Sequence, residues 1–471
     1  MLTWGQYKFG FVPLVDRYRW LEPLHQVNIS DRWNRKKTDD LQFAFFNGEG
    51  WESWENIWGI WNGITERDAE ATRRVATLER AVAPYFSSDG WRPLYPMHRY
   101  GVFASQWPQG EKTLWTIVNR NEYDVAGRQI SVPYSNGMRY FDLYHGAELS
   151  AEHVGSDALL SFPIEAHGYA ALLAIAGAPD AATLQFMSRM KQMTAKPLSA
   201  YAQEWKPLPQ QMVEMGKSKS GKVPLDRMTL IPAGDYLFKV QGIEVEGFND
   251  AGVDVQYAWE DSPRRYHEHP MHVSAFDLDK YPVTNAEFKK FTDAAHYHPA
   301  DDLNFLKDWQ DGTFPQGWAD KPVTWVSIED ARAYAQWAGK RLPHEWEWQY
   351  AAQGGDGRLY PWGNTWDASR VPLADHGRTM RGPDNVDAHP GGATPGGVMD
   401  MVGNVWQWTD EYVDEHTRAG ILRGGSYYQP LGSVWYFPQA YRNDQHGKLL
   451  LMAPSYDRSG AVGFRCVKDV E

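Results

Sequence analysis

A chain of 471 residues, 42% hydrophobic and 23% charged, can bury a large core without disulfides or metals. Its formal net charge of −13 excludes a general nucleic-acid binder, because phosphate affinity needs clustered Lys and Arg. The single cysteine, Cys466, excludes an intrachain disulfide. No apolar run approaches the ~18 residues of a membrane span.

The opening residues MLTWGQYKFGFVPLVDRYRW lack a basic stretch followed by an apolar one, so the chain as written is expected in the cytoplasm. The 23 Trp and 25 Tyr fit two uses. Flat rings stack on sugar faces, and they also fill irregular cores.

In chain order, residues 1–85 come first. The run DLQFAFF (40–46), bounded by Asn47-Gly48, is expected to be a strand buried on both faces, as in a parallel sheet. From Thr65 to Phe86, apolar residues at three- and four-residue spacing predict a helix that ends at Pro84. Residues 86–178 carry short strands such as TLWTIVNR, RQISVPY and YAALLAIA about every dozen residues. Turns at Asn136-Gly137 and His145-Gly146 separate them, which predicts an antiparallel β-sandwich. Residues 179–225 read as a linker: a helical piece, then a polar Lys-, Ser- and Gly-rich tail.

Residues 226–471 are the last zone. Thr284 with Glu287, and Ser327 with Asp330, mark two helix N-termini, and Gly339 marks an end. The zone also holds IPAG, KYPVTNAEF, GKRLPHEWEWQYAAQGG, YPWGN, GNVWQW, RGGSY and GFRC. In order and spacing, these seven motifs resemble the formylglycine-generating-enzyme (sulfatase-modifying factor) family, from about Met228 to Lys468. The resemblance implies a C-type-lectin-like fold. The whole chain is therefore expected to be an α+β multidomain protein.

The resemblance also implies where the chemistry should lie. Family oxidases hold copper(I) with two cysteines, and soft thiolates suit that ion. The corresponding positions here are Gln429 and Val434, so no copper and no formylglycine generation are expected. Cys466 is expected to be a buried structural thiol. The family's calcium loop maps onto Asp400, Gly403, Val405 and Gln407, so a structural Ca2+ is expected there. A cleft near Trp406, Ser426, Gln429 and Arg442 is expected to bind a carbohydrate or peptide ligand.

A second branch, the ergothioneine-pathway iron enzymes, takes histidine ligands from a helical bundle that has no counterpart here. Iron stays open through His267 and His269, which share one face of a strand.

The segment AFFNGEGWESWENIWGIW (44–61) sets Glu49, Glu52 and Glu55 among Trp51, Trp54, Trp58 and Trp61. Carboxylates at strand C-termini beside aromatic platforms are similar to a glycoside-hydrolase barrel. Glu49 is the candidate catalytic carboxylate of this partial (β/α) barrel end. A full barrel takes roughly 250 residues, so 1–85 supplies only its last units, which puts Met1 in doubt as the natural start.

Overall fold

The computed structural model describes residues 2–5, 10–31, 36–53, 64–218, 227–243, 254–431 and 437–470. They form two compact units that divide between Lys206 and Pro207. Among them, no helix is long and apolar enough to cross a membrane.

The first unit begins with β1 (Leu2–Gly5), α1 (Arg17–Leu21), β2 (Gln26–Asp31), α2 (Thr38–Asn47), β3 (Gly50–Ser53) and α3 (Glu66–Val82). β1, β2 and β3 pair in parallel, in that order. Antiparallel strands follow: β4 (Arg92–Tyr95), β5 (Val102–Gln109), β6 (Lys112–Asn119), β7 (Arg128–Pro133), β8 (Met138–Asp142), β9 (Ala147–Leu149), β10 (Ala151–Val154), β11 (Asp157–Ser161) and β12 (Tyr169–Ala176). They make a six-stranded sheet, β4-β5-β6-β12-β8-β9, and a three-stranded one, β10-β11-β7. Helix α4 (Ala181–Met193) closes the unit.

Strand β12 shows why its sequence is apolar throughout. Tyr169, Ala171, Leu173 and Ile175 face a core shared with α2, α3 and α4. Ala170, Leu172 and Ala174 face the small sheet through Ile130, Val132 and Leu160. Both faces of the sheet are covered, so alternation disappears.

The expected strand at 40–46 is corrected: it lies inside helix α2. Leu41, Phe45 and Phe46 enter the core that α2 shares with α3 and the large sheet. Phe43 and Ala44 pack instead on Ile29 of β2. A helix buried all round except at Asp39 has no polar stripe, so its sequence looks like a buried strand. Its polar groups are met within the fold. Asp68 accepts from Lys37 N at 2.7 Å and from Thr38 Oγ1 at 2.9 Å, while Gln42 Nε2 donates to Asn119 O at 2.8 Å. Gly48 ends the helix at φ +62°, where a Cβ would lie 2.6 Å from Phe86.

Glu49 is corrected by the same finding. It stands between α2 and β3, at the strand's N-terminal side, whereas barrel chemistry collects at C-terminal ends. Its carboxyl is 2% exposed. Burial and Asp16 raise it well above the usual carboxylate range, against the pull of Arg19. Arg19 in turn lies over Trp107, 5.0 Å from the ring centre. The side chain of Glu52, and the whole of Trp54, Glu55, Trp58 and Trp61, lie outside the described residues.

The second unit contains β13 (Gln211–Met212), β14 (Met228–Ile231), β15 (Gly234–Gly242), β16 (Tyr266–Val273), β17 (Phe276–Asp279), α5 (Asn285–Ala295), α6 (Ile328–Trp337) and α7 (Glu345–Gln353). After a long stretch with only brief 3-10 turns come β18 (Trp406–Val413), β19 (Arg418–Arg423), β20 (Gln445–Leu451), α8 (Pro454–Asp457), β21 (Val462–Gly463) and β22 (Val467–Asp469). The main sheet runs β13-β18-β19-β20-β15-β16, with β21 beside β18, and β14-β17-β22 form a small second sheet. The unit is thus mixed α/β. Both capping boxes form: Thr284 and Ser327 cap α5 and α6, with Glu287 and Asp330 reaching back.

Burial pushes Glu79 of α3 up to about 8, opposed by Arg19. Unfolded glutamates release their proton near about 4.3, so here the folded chain binds more protons. Stability is therefore expected to fall as pH rises from about 5 to about 8. Glu79→Gln should flatten that fall in urea unfolding followed by tryptophan fluorescence. An unchanged slope would mean that Glu79 is ionised in the fold.

Candidate functional site

The loop before β18 is held by side chains, because almost no regular structure is available to hold it. Gln407 is its centre. Its Nε2 donates to Asp400 O at 2.8 Å. Its Oε1 accepts from Trp348 Nε1 at 2.9 Å and from Arg465 Nε at 2.6 Å. Arg465, fully buried, also donates to the carbonyls of Asp279, Met399 and Asp400 at 2.7–2.9 Å.

At the expected calcium position, the Gln407 side-chain oxygen takes two N–H donors. Asp400 sits at φ +51° and accepts from Asn404 Nδ2 at 2.8 Å. Burial pushes its carboxyl up to about 7. Gly403 N donates to Gly424 O at 2.9 Å, and Val405 is fully buried. These residues share one turn, which the neighbouring guanidinium ties together.

That turn supports the strand exit at β19. Gly424 and Gly425 adopt φ +89° and +66°. A Cβ would lie 2.3 Å from Met401 O at the first and 2.7 Å from the Tyr441 ring at the second. The chain then passes Ser426 and reaches Gln429. Tyr441 Oη donates to Ser426 O at 2.6 Å and accepts from Gln429 Nε2. Trp366 stacks on Tyr441 with ring centres 5.0 Å apart and planes 3° from parallel. Trp362 and Tyr360 extend the cluster, at 5.8 Å and 5.4 Å from Trp366. Trp366 keeps 37% of its surface exposed.

Of the expected cleft residues, Gln429 and Arg442 reach partial exposure. Arg442 is held by Asp444, with Nε to Oδ1 at 2.8 Å. Trp406 and Ser426 are corrected. Trp406 is 3% exposed in a core with Leu422 and Phe464, and Ser426 is 1% exposed. Both are buried and present no surface to a ligand. Trp366 and Tyr441 were missed as site residues, although YPWGNTW places Trp366 two residues beyond a quoted motif.

At the expected copper positions, Gln429 presents an amide, and Val434 lies outside the described residues. Cys466 is buried, and its backbone N–H donates to Asp279 Oδ2 at 2.9 Å. Burial raises its thiol well above the ordinary range, so no thiolate is available.

His267 and His269 share a face of β16, but they do not meet each other. His269 stacks on Trp259 at 4.3 Å. The partner of His267 is instead His446 of β20, with Asp254 between them. Asp254 Oδ2 lies 2.8 Å from His446 Nε2 and 3.2 Å from His267 Nε2. The opposite ring nitrogens face Glu345 at 2.6 Å and Glu260 at 2.9 Å. Two carboxylates push His446 up to about 9 and also raise His267, although burial lowers both. Burial raises Asp254, but the imidazoles of His446 and His267 outweigh it and hold the carboxyl well below the usual carboxylate range. Glu345 also pairs with Arg423 at 3.2 Å and accepts from Tyr257.

Residues 214–470 match the family described as "Sulfatase-modifying factor enzyme 1-like domain". The chain is 27% identical to the uncharacterised protein YfmG of Bacillus subtilis, over 56% of this chain and 58% of that one. It is 32% identical to the formylglycine-generating enzyme of Mycobacterium tuberculosis, over 43% of this chain and 90% of that one. It is also 32% identical to the inactive C-alpha-formylglycine-generating enzyme 2 of Bos taurus, over 33% and 66%. The chain thus spans less than two thirds of YfmG and of the bovine protein.

Ellman's reagent should leave Cys466 unmodified in the native chain and titrate one thiol per chain in guanidinium. Rapid native reaction would place the thiol within reach of solvent and of metal.

Proposed function

Since the chain belongs to the sulfatase-modifying factor family through residues 214–470, we propose that it keeps the family scaffold and binds a ligand at the Gln429 rim without generating formylglycine. The loss of the first copper cysteine to Gln429 supports the second half of this reading. A bovine relative carries the name of an inactive formylglycine-generating enzyme, so departure from oxidation has precedent among similar proteins.

One observation carries the binding half: the half-exposed Trp366 stacked on Tyr441, whose hydroxyl takes the Gln429 amide. A flat apolar ring beside an amide and an Arg442–Asp444 pair suits a glycan. Sugar C–H groups cover the ring while hydroxyls meet the amide, the guanidinium and the carboxylate. A peptide with an aromatic or amide side chain is the other ligand of this chemistry. Calcium in the Asp400 loop would be a structural aid only, and the reading does not depend on it. The parallel strands of the first unit we read as the end of a (β/α) layer from a carbohydrate-associated protein, with Glu49 buried as support.

Calorimetric titration with soluble oligosaccharides and short peptides tests this. Trp366→Ala is expected to weaken the best ligand at least tenfold, about 1.4 kcal/mol, with the melting temperature unchanged. Equal binding by wild type and variant would remove the rim from the proposal. An aldehyde product from a cysteine peptide, formed with copper and oxygen, would overturn it altogether.

A further inference from the structure

The Asp254–His267–His446 cluster lies in the same unit as the rim, but its contacts set it apart. All three side chains are 0–3% exposed. Asp254 precedes β16, His267 lies within it, and His446 belongs to β20, so three chain segments converge. Their ligand atoms lie within 4.8 Å of one another.

The orientation of the rings is the informative feature. A buried histidine is satisfied by one carboxylate and one other partner of any kind. Here each ring turns Nδ1 to its own carboxylate, Glu260 for His267 and Glu345 for His446. Both Nε2 atoms then face one oxygen of Asp254. Carboxylates behind the far nitrogens fix ring orientation and raise ligand basicity, as they do around metal-bound imidazoles.

The spacing fits as well. Ligands bonded at about 2.0–2.1 Å to a tetrahedral ion stand about 3.4 Å apart. The two observed nitrogen–oxygen separations, 2.8 and 3.2 Å, need only a small expansion to admit an ion.

From this geometry we propose that Asp254, His267 and His446 form a binding site for one divalent first-row transition ion. Two imidazoles and one carboxylate select Zn2+ or Fe2+ over Ca2+, which prefers oxygen alone. Binding the ion displaces any proton held between an Nε2 and Asp254, so uptake competes with protons. Lys448 donates to the backbone oxygen of Asp254 at 3.1 Å and leaves the carboxylate free for the ion. Glu260 links the site to the surface. With Asp261, Arg264, Glu268 and His269 it lines an open pocket of about 470 Å³, where three carboxylates outnumber one guanidinium on a cation's approach. Burial makes the ion a staple between β16 and β20, and this role does not rest on the glycan reading.

The full-length chain is stripped with a chelator, its fold is checked by circular dichroism, and it is dialysed against Zn2+, Mn2+, Co2+ or, without oxygen, Fe2+. Plasma mass spectrometry should find about one ion per chain, and Co2+ should give the intense visible bands of a low-symmetry site. Glu260→Gln, which weakens the support of His267 but keeps an amide oxygen for the Tyr257 N–H, should weaken affinity about 10–100-fold. His446→Gln should abolish uptake, and Trp366→Ala should leave it intact. A stripped chain that refolds only with metal would also support the site, even if His446→Gln does not fold. A folded wild type that takes up none of the four ions, with Co2+ showing only its hydrated spectrum, overturns it. The cluster would then be a charge network held by protons.

Discussion

Burying a guanidinium imposes a demand that an irregular fold must meet with named oxygens. Arg465 meets it by gathering three carbonyls and the Gln407 amide, and so it joins β17, the loop before β18 and the closing segment of the chain. Each carbonyl left unmet in such a place would cost about 1–3 kcal/mol. Residues 354–405 contain no strand and no α-helix, so bonds of this kind replace backbone ladders as the framework. Trp348 adds a fourth element, because its indole N–H shares the Gln407 oxygen.

Arg423 repeats the arrangement one strand away. It donates to Glu345, Gln349 and the backbone of Asn443 while lying 4.9 Å over Trp348. Glu345 is therefore shared: one carboxylate serves Arg423, His446 and Tyr257. The strand that ends at the glycine pair and the buried histidine cluster depend on the same acidic group. Buried ionic groups of this kind are costly to break singly, about 3–5 kcal/mol, because the abandoned charge stays in place.

Local signals were legible in the sequence. The capping residues Thr284, Glu287, Ser327 and Asp330 fixed two helices, since both partners of each box lie within four residues. The motif series located the family scaffold. Tertiary burial was not legible. DLQFAFF looked like a strand because two different cores cover opposite sides of one helix. Glu49 was placed at the wrong end of a strand for the same reason. Trp406 and Ser426 have the right chemistry for a cleft, yet both are buried. His267 was identified as a candidate ligand, but alternation along one strand pointed to His269. The actual partner, His446, is 179 positions away in sequence, and only the pairing of β15 with both β16 and β20 brings it close.

The glycine pair at 424–425 limits how this protein can diversify. Both residues occupy left-handed conformations, and added atoms at either would strike Met401 O or the Tyr441 ring. Their neighbour Ser426 is fully enclosed. The path from β19 to the rim is therefore closed to drift, as is the knot beneath it. At the rim, the side chains left open to solvent and so to change are Trp366, Gln429, Arg442 and Asp444. Related chains should thus vary at those few rim positions over an unvarying floor, much as a fixed lens mount accepts different lenses.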